Sequence, residues 1–347
     1  MTPVRPRVIV RADASVATGA GHVMRCLTLA RALRSRAFEV SFVSRGHEGN
    51  LNHIVSQAGF FVHELGPSAP NDEAEEVART VGRPFEVLVV DHYALGAPFT
   101  RPFIERGVKV LVIDDLANRV HACHWLLDQN LVEGFERRYD GLVPPQASQM
   151  LGPRFALLRE EFASQRVVRG GPVAKLLLSF GGTDPQDVTT RTIDALRTFV
   201  WAPWEADVVI GETNPHRAAV EDLCRLDARL RLHVQTSRMA ALMGEADLMV
   251  GAGGSTHWER CALGLPAVVV SLAENQRPTT AYLASLGACV DLGDAATVTT
   301  ERIAREVMAL LGDRSRLAEL ALAAARLVPK EGGVSRVVEE ISSKVCG

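Results

Sequence analysis

The stretch Val250-Gly251-Ala252-Gly253-Gly254-Ser255-Thr256-His257-Trp258-Glu259-Arg260-Cys261-Ala262-Leu263-Gly264-Leu265-Pro266 decides the architecture of this chain. It runs from the strand-like Leu248–Val250 into a glycine loop and then into a helical segment, Ser255–Leu263. Gly264-Leu265-Pro266 stops that helix, and the apolar run Ala267–Ser271 starts another strand. Strand, glycine turn, helix and strand in that order make one βαβ unit, the element of a parallel sheet.

The same alternation extends over nearly the whole chain. Strand-like runs in the first half are Val8–Val10, Val40–Val43, Phe60–Leu65, Val87–Asp91 and Lys109–Asp114. Those in the second half are Lys175–Phe180, Asp207–Ile210, Leu230–Val234, Leu248–Val250, Ala267–Ser271 and Cys289–Leu292. Helical stretches such as Val23–Arg36 and Asp184–Phe199 lie between them. Strands that are apolar on both faces and separated by helices predict α/β architecture with parallel sheets. The strands are too many for one such sheet. The rhythm breaks over Asn118–Gln165, and Gln165-Arg-Val-Val-Arg-Gly-Gly-Pro172 reads as a linker. Two Rossmann-like, doubly wound domains are expected, residues 1–160 and 173–330. A last amphipathic helix, Val334–Val345, follows the breaker Lys330-Glu331-Gly332-Gly333 and is expected to pack back on the first domain. Ligands of such sheets bind beyond the carboxyl ends of the strands, so two domains facing a central cleft put function on the strand-to-helix turns.

Composition narrows the function classes. Of 347 residues 47% are apolar and 23% charged, which excludes disorder as the main state. A net charge of −3 carries none of the Lys/Arg excess of a nucleic-acid binder. No apolar run approaches the ~18 residues of a membrane span. The start, Met1-Thr-Pro-Val-Arg-Pro-Arg7, leads straight into Val8-Ile9-Val10, so no signal peptide is expected. Six scattered cysteines without a Cys-x-x-Cys pair read as reduced thiols. These features together predict a cytoplasmic enzyme.

The first turn reads Arg11-Ala-Asp13-Ala-Ser15-Val-Ala-Thr18-Gly19-Ala-Gly21-His22-Val-Met-Arg25. Gly19 and Gly21 permit positive φ and a close backbone approach, and the helix start that follows favours a phosphate or a developing anion. Met24 stands where a dinucleotide fingerprint has its third glycine, and Val43-Ser44-Arg45 supplies no ribose-binding acid. Nicotinamide chemistry is therefore disfavoured, a Walker lysine is missing, and no cofactor is called for. His22 at the positive helix end is expected as a neutral ring able to accept a proton, or else as a helix-capping or phosphate-binding histidine. Arg11, Gly21 and Arg25 are candidate substrate contacts. Asp13 is either catalytic or half of an ion pair with Arg11 that closes the loop.

In the second half, Ser179-Phe-Gly181-Gly182-Thr183-Asp184-Pro185 follows a strand. Asp184 or Thr183 can cap the next helix and Pro185 suits its first turn, but the double glycine asks for a ligand, with Gly182 and Thr183 beside it. In the opening stretch, backbone N–H groups of Gly253 and Gly254 with the Ser255 and Thr256 hydroxyls are suited to a diphosphate. Glu259, one turn on, suits ribose hydroxyls, or is a solvated helix carboxylate. Asn275 and Gln276 after the next strand suit sugar hydroxyls or acetamido groups, or form a polar turn. His121-Ala-Cys123-His124 reads as a loop, given its tight spacing and the lack of a partner cluster, or as a metal site. Asp114-Asp115 reads as a turn cap or a Mg²⁺ ligand pair. Asp91-His92-Tyr93 ends a strand, with Tyr93 a candidate sugar or water contact.

Gly253–Pro266 with Asn275-Gln276 resembles the donor-nucleotide site of GT-B glycosyltransferases, the class that contains the peptidoglycan N-acetylglucosaminyltransferase. A closer match covers most of the chain. It is carried by Arg11-Ala-Asp-Ala-Ser15, Gly21-His22-Val-Met-Arg25, Val90-Asp91-His92-Tyr93, Gly141-Leu-Val-Pro144, Phe155-Ala-Leu-Leu-Arg-Glu-Glu-Phe162 and Gly181-Gly-Thr-Asp184. In these the chain is similar to the UDP-2,4-diacetamido-2,4,6-trideoxy-β-L-altropyranose hydrolases of pseudaminic acid biosynthesis. The resemblance implies a GT-B fold, a UDP-sugar substrate, and metal-independent removal of UDP with inversion at the anomeric carbon. It also implies His22 as general base, Tyr93 near the reacting sugar, and Gly253–Thr256 with Glu259 on UDP. Such chemistry needs a base to activate water and donors for the departing diphosphate. A glycosyltransferase with the same donor site, or a non-catalytic nucleotide-sugar binding protein with no need of His22, are the alternatives.

Overall fold

The computed structural model describes all residues except 1–4, 17, 67–72, 166, 168–172, 200–202, 330 and 346–347. Most of the expected linker, Lys330 of the breaker and Cys346 thus lie outside the described residues. The chain forms two compact units. One takes in the chain up to Asn130, then Gly134–Arg159 and the stretch from Glu331 onward; the other holds Leu131–Glu133 and Glu160–Lys330.

Among its described residues the first unit carries seven parallel strands: β1 Arg7–Ala12, β2 Glu39–Arg45, β3 Phe61–Leu65, β4 Val87–Asp91, β5 Lys109–Ile113, β6 Trp125–Asp128 and β7 Ser148–Leu151, in the order β3-β2-β1-β4-β5-β6-β7. Alternation along each strand builds a core on both faces. Val8, Val10, Phe42, Val87 and Val89 pack against Val23, Leu27 and Leu33 of the Gly21–Ser35 helix, and with Val337, Val338 and Ile341 of the Val334–Val345 helix. Ile9, Val43, Leu88, Val90 and Val112 face the other way, toward Val77, Phe99 and Phe103. Two strands, β6 and β7, were not expected. Each has only four residues, and edge strand β7 buries only its last two, so neither shows the long apolar run of a central strand.

The second unit carries β8 Lys175–Ser179, β9 Glu205–Ile210, β10 Leu230–Val234, β11 Leu248–Ala252, β12 Ala267–Ser271 and β13 Val290–Asp294, ordered β10-β9-β8-β11-β12-β13 and again all parallel. Leu176, Leu178, Val208, Val250 and Val268 bury one face of this sheet beneath Ile193 and Leu196 of the Val188–Arg197 helix and Ile303 and Val307 of the Thr300–Gly312 helix. Among the described residues no helix is long and apolar enough to cross a membrane.

Candidate active site

Both sheets reverse their strand order at one place, between β1 and β4 in the first unit and between β8 and β11 in the second. Loops leaving adjacent strands diverge at such a point and open a crevice at the carboxyl ends. The motif residues collect at these two places.

In the first unit β1 lies beside β4, with Ala12 in register with Asp91. Asp91, wholly buried, is the last residue of β4; His22 is the second residue of the helix after β1. His22 Nδ1 lies 2.5 Å from Asp91 Oδ1. Asp91 also accepts Arg25 Nε and Nη2, each at 2.6 Å, and the Cys26 thiol at 3.4 Å. Burial pushes the Asp91 carboxyl up, but Arg25 and His22 outweigh it and hold it well below the usual carboxylate range. A carboxylate only accepts hydrogen bonds, so in the neutral ring this network places the hydrogen on Nδ1 and the lone pair on Nε2. Tyr93 packs edge-on against His22, ring centroids 4.4 Å apart at 86°. The helix itself starts with no side-chain cap on its first amides.

The charged residues of this turn are spent on one another. Arg11, wholly buried, donates from Nη1 and Nη2 to the two Asp13 oxygens at 2.5 and 2.7 Å, and from Nε to Glu73 at 2.8 Å. Asp13 further accepts the Arg45 amide at 2.8 Å and lies 3.4 Å from His92 Nε2. Burial raises its carboxyl; the His92 and Arg11 contacts outweigh that and hold it far below the usual range. Asp13 is thus a fixed anion under the loop, not a group that exchanges protons at neutral pH. Arg11 and Arg25 are likewise committed to buried carboxylates instead of facing a ligand, because a guanidinium this enclosed needs a full anionic partner. Positive φ occurs at Gly19 (+72°) and not at Gly21, which opens the helix with free space around it.

In the second unit Gly251 of β11 is in register with Ser179 of β8, so the Gly181–Thr183 turn and the Gly253–Thr256 loop leave neighbouring strands. Gly181 and Gly182 are exposed, and a Cβ on either meets open space. Asp184 is buried and takes the Val188 and Thr189 amides at 3.0 and 2.8 Å, while Asp187 occupies the cap position and Pro185 lies ahead of the helix instead of in its first turn. Gly254 sits at φ +80°, and Ser255, exposed, leads the Thr256–Ala262 helix without a side-chain cap. Glu259 lies half-buried one turn inside that helix.

A buried set of hydrogen bonds backs this loop. Arg260 donates to His257 Nδ1 from Nη2 at 3.0 Å, His257 Nε2 meets Thr280 Oγ1 at 3.0 Å, and that hydroxyl donates to the Gln276 carbonyl at 2.9 Å. Burial, then Arg260, lowers the basicity of His257 well below that of a free histidine. Gln276 spends its side-chain oxygen on the Leu272 amide at 3.0 Å, leaving its amide nitrogen toward Gly254; Asn275 is exposed on the same turn. The sequence reading missed His257, Thr280 and the role of Asp91. Only Asp91 carried a signal, an acid ending a fully apolar strand.

Among the described residues no group of three His, Cys, Asp or Glu side chains is placed to hold a metal ion. His124 Nδ1 accepts the Val110 amide, and buried His121 lies 3.7 Å from Asp114, so the two histidines do not converge. Asp114 accepts Tyr139 Oη at 2.9 Å and the Ala117 amide at 2.8 Å, which makes it a turn cap.

Residues 208–337 match the Glycosyltransferase family 28 C-terminal domain. The chain is 26% identical to the UDP-2,4-diacetamido-2,4,6-trideoxy-beta-L-altropyranose hydrolase of Campylobacter jejuni over 284 residues, 81% of this chain and 97% of that one. It is 26% identical to the spore coat polysaccharide biosynthesis protein SpsG of Bacillus subtilis over 298 residues, 81% of this chain and 82% of the relative. MurG of Acinetobacter baumannii superposes with a TM-score of 0.67 at 18% identity, covering 97% of this chain and 99% of that one. The chain therefore has the two-domain α/β fold of GT-B type, and the sequence similarity points to the same UDP-diacetamido-trideoxy-sugar hydrolases that its motifs resemble.

Proposed function

We propose that the protein hydrolyses a UDP-linked diacetamido-trideoxy sugar to free sugar and UDP, with inversion at the anomeric carbon and without a metal ion, in pseudaminic-acid-type biosynthesis. The observation that carries the reading is the His22 Nδ1 contact with Asp91 at 2.5 Å, which leaves Nε2 as the acceptor of a proton. Water attacks the anomeric carbon opposite the nucleotide and gives its proton to His22 Nε2 as the bond from that carbon to the diphosphate oxygen breaks. A nucleoside diphosphate leaves as the anion and needs no acid. The amides and hydroxyls of Gly253, Gly254, Ser255 and Thr256 stabilise its charge, Gly182 and Thr183 flank them, and Glu259 holds the ribose. Tyr93 lines the sugar beside His22; Asp13, Arg11 and Arg25 hold the turn.

The experiment is incubation with a panel of UDP-amino-sugars and water alone in excess EDTA, followed by NMR. Release of UDP and of the sugar in the inverted anomeric form is expected. A second reading, sugar transfer to an acceptor, is favoured by the match of residues 208–337 to a glycosyltransferase domain. No release in water, with turnover once an acceptor alcohol is added, selects it and overturns hydrolysis.

A further inference from the structure

Tyr93 sits on the short turn after β4, and that turn is gripped by a residue the reaction does not otherwise use. Arg119 donates from Nη2 to the His92 carbonyl at 2.7 Å and from Nε to the Leu95 carbonyl at 3.1 Å. These two carbonyls bracket Tyr93. The guanidinium is anchored from behind by Asp114, with Nη2 2.8 Å from Oδ1. The backbone reinforces the grip: the Ala97 amide donates to the Val120 carbonyl at 2.9 Å, and a Cβ on Gly96 would lie 3.1 Å from that oxygen. From the other side, the His92 ring lies 3.4 Å from Asp13 and accepts the Ala94 amide at 3.0 Å. The turn is therefore clamped at both ends while the Tyr93 ring stands against His22.

We propose that Arg119 is a positioning residue for the reaction, setting the place of the Tyr93 ring and through it the orientation of His22; this rests on the hydrolase reading above. Arginine suits the task because its planar fork hydrogen-bonds two carbonyls at fixed spacing while its charge pairs with the Asp114 carboxylate, which a lysine ammonium on a flexible stem does not do. Asp114 fixes the fork, so the two residues act as one unit.

The test compares Arg119→Met and Arg119→Lys with wild type and with Tyr93→Ala. With activity as the readout, both Arg119 variants are expected to lose about 10–100-fold in kcat with KM changed about 2-fold or less, as for a misplaced reacting group. In the Tyr93→Ala background the same Arg119 changes are expected to cost nothing further, since their effect passes through the missing ring. The second readout needs no turnover. The carbon-bound ring protons of His22, followed by histidine-selective NMR, sense the ring current of Tyr93 and are expected to shift in Arg119→Met and in Tyr93→Ala alike. Unshifted His22 resonances in a folded Arg119→Met protein, or full additivity with Tyr93→Ala, overturn the proposal. A wild-type protein that hydrolyses no UDP-sugar overturns the hydrolase reading instead, and the His22 resonances still decide whether Arg119 positions the ring.

Discussion

His22 Nδ1 and Asp91 Oδ1 stand 2.5 Å apart, joining the helix after β1 to the last residue of β4 across the point where the strand order reverses. Asp91 is wholly buried and doubly held by Arg25, so it cannot turn away from the imidazole. The pair fixes which ring nitrogen is available. His22→Asn keeps a side chain that hydrogen-bonds Asp91 but takes no proton at neutral pH. A loss of ~10²–10⁴ in kcat is expected, with UDP affinity and melting temperature near wild type. Single-turnover rate and UDP calorimetry on one preparation check this, and a wild-type single-turnover rate would remove His22 as the base.

Asp91→Asn tests the orientation itself. An amide offers one acceptor oxygen where the carboxylate offers two, so it cannot hold both the His22 Nδ1 hydrogen and the two Arg25 donors as Asp91 does. It also strips Arg25 of a buried anion, a change that costs about 3–5 kcal/mol for a pair of this kind. Activity and urea stability should therefore fall together, in contrast to His22→Asn. An Asp91→Asn protein as stable and active as wild type contradicts both roles.

The difference between the two units in what the sequence revealed has a physical basis. Central strands such as Val87–Asp91 are buried on both faces and read as continuous apolar runs, whereas β6 and β7 are four residues each, with a half-polar edge. His22 was legible because it follows a glycine at a helix start. Asp91 stands 69 residues from it, and their meeting depends on β1 pairing with β4, which no local pattern encodes. Arg11 and Arg25 look the same in sequence whether they face a ligand or a buried carboxylate. His257 shares the motif with Glu259 but points into Thr280, a partner from the helix after β12.

Stability should pass through two opposite regimes as pH falls. Burial and Asp115 raise Asp128, against Arg138 and the Asn130 amide, to about 6. A carboxyl raised in the folded state binds its proton more readily there, so its contribution is present below the unfolded value and lost as pH rises through about 6. Asp13, Asp91 and Asp114 are depressed, so their contribution is present above the unfolded carboxylate range and is lost as pH falls below it. Urea midpoints should therefore show an Asp128 term favouring the fold between about pH 6 and 4, then a steep loss below ~4. In Asp128→Asn the first slope should flatten and the second remain. An unchanged upper slope would show that Asp128 titrates normally.

Glu259→Ala should weaken UDP binding by about 1–3 kcal/mol through lost hydrogen bonds to the ribose. The motivation is its half-buried position one turn beyond the uncapped start of the Thr256–Ala262 helix. Comparing UDP with 2′-deoxy-UDP isolates the contact, because the variant should bind the two alike while wild type prefers UDP. Unchanged UDP affinity in a folded variant takes Glu259 out of the nucleotide site.

Gly253→Ala probes whether the loop is held in the shape that a diphosphate requires. The added Cβ would stand 3.0 Å from Thr280 Oγ1, 3.1 Å from His257 Nε2 and 3.4 Å from Gln276 Cβ. Those atoms cannot readily give way. His257 is buried and fixed by Arg260, and the Thr280 hydroxyl is engaged by both His257 and the Gln276 carbonyl. The strain is therefore relieved by the loop, which moves outward with the Gly254 and Ser255 amides. Overpacking of this order costs ~1–3 kcal/mol, and a displaced set of donors should lower UDP affinity by about 10-fold or more. Gly312→Ala is the matched control, since its Cβ meets nothing within 4 Å at the end of the Thr300–Gly312 helix. There the exchange should leave UDP binding unchanged and raise stability by up to ~1 kcal/mol. Calorimetry of UDP binding to both variants decides the matter: equal affinities would mean that the Gly253 loop does not hold the diphosphate.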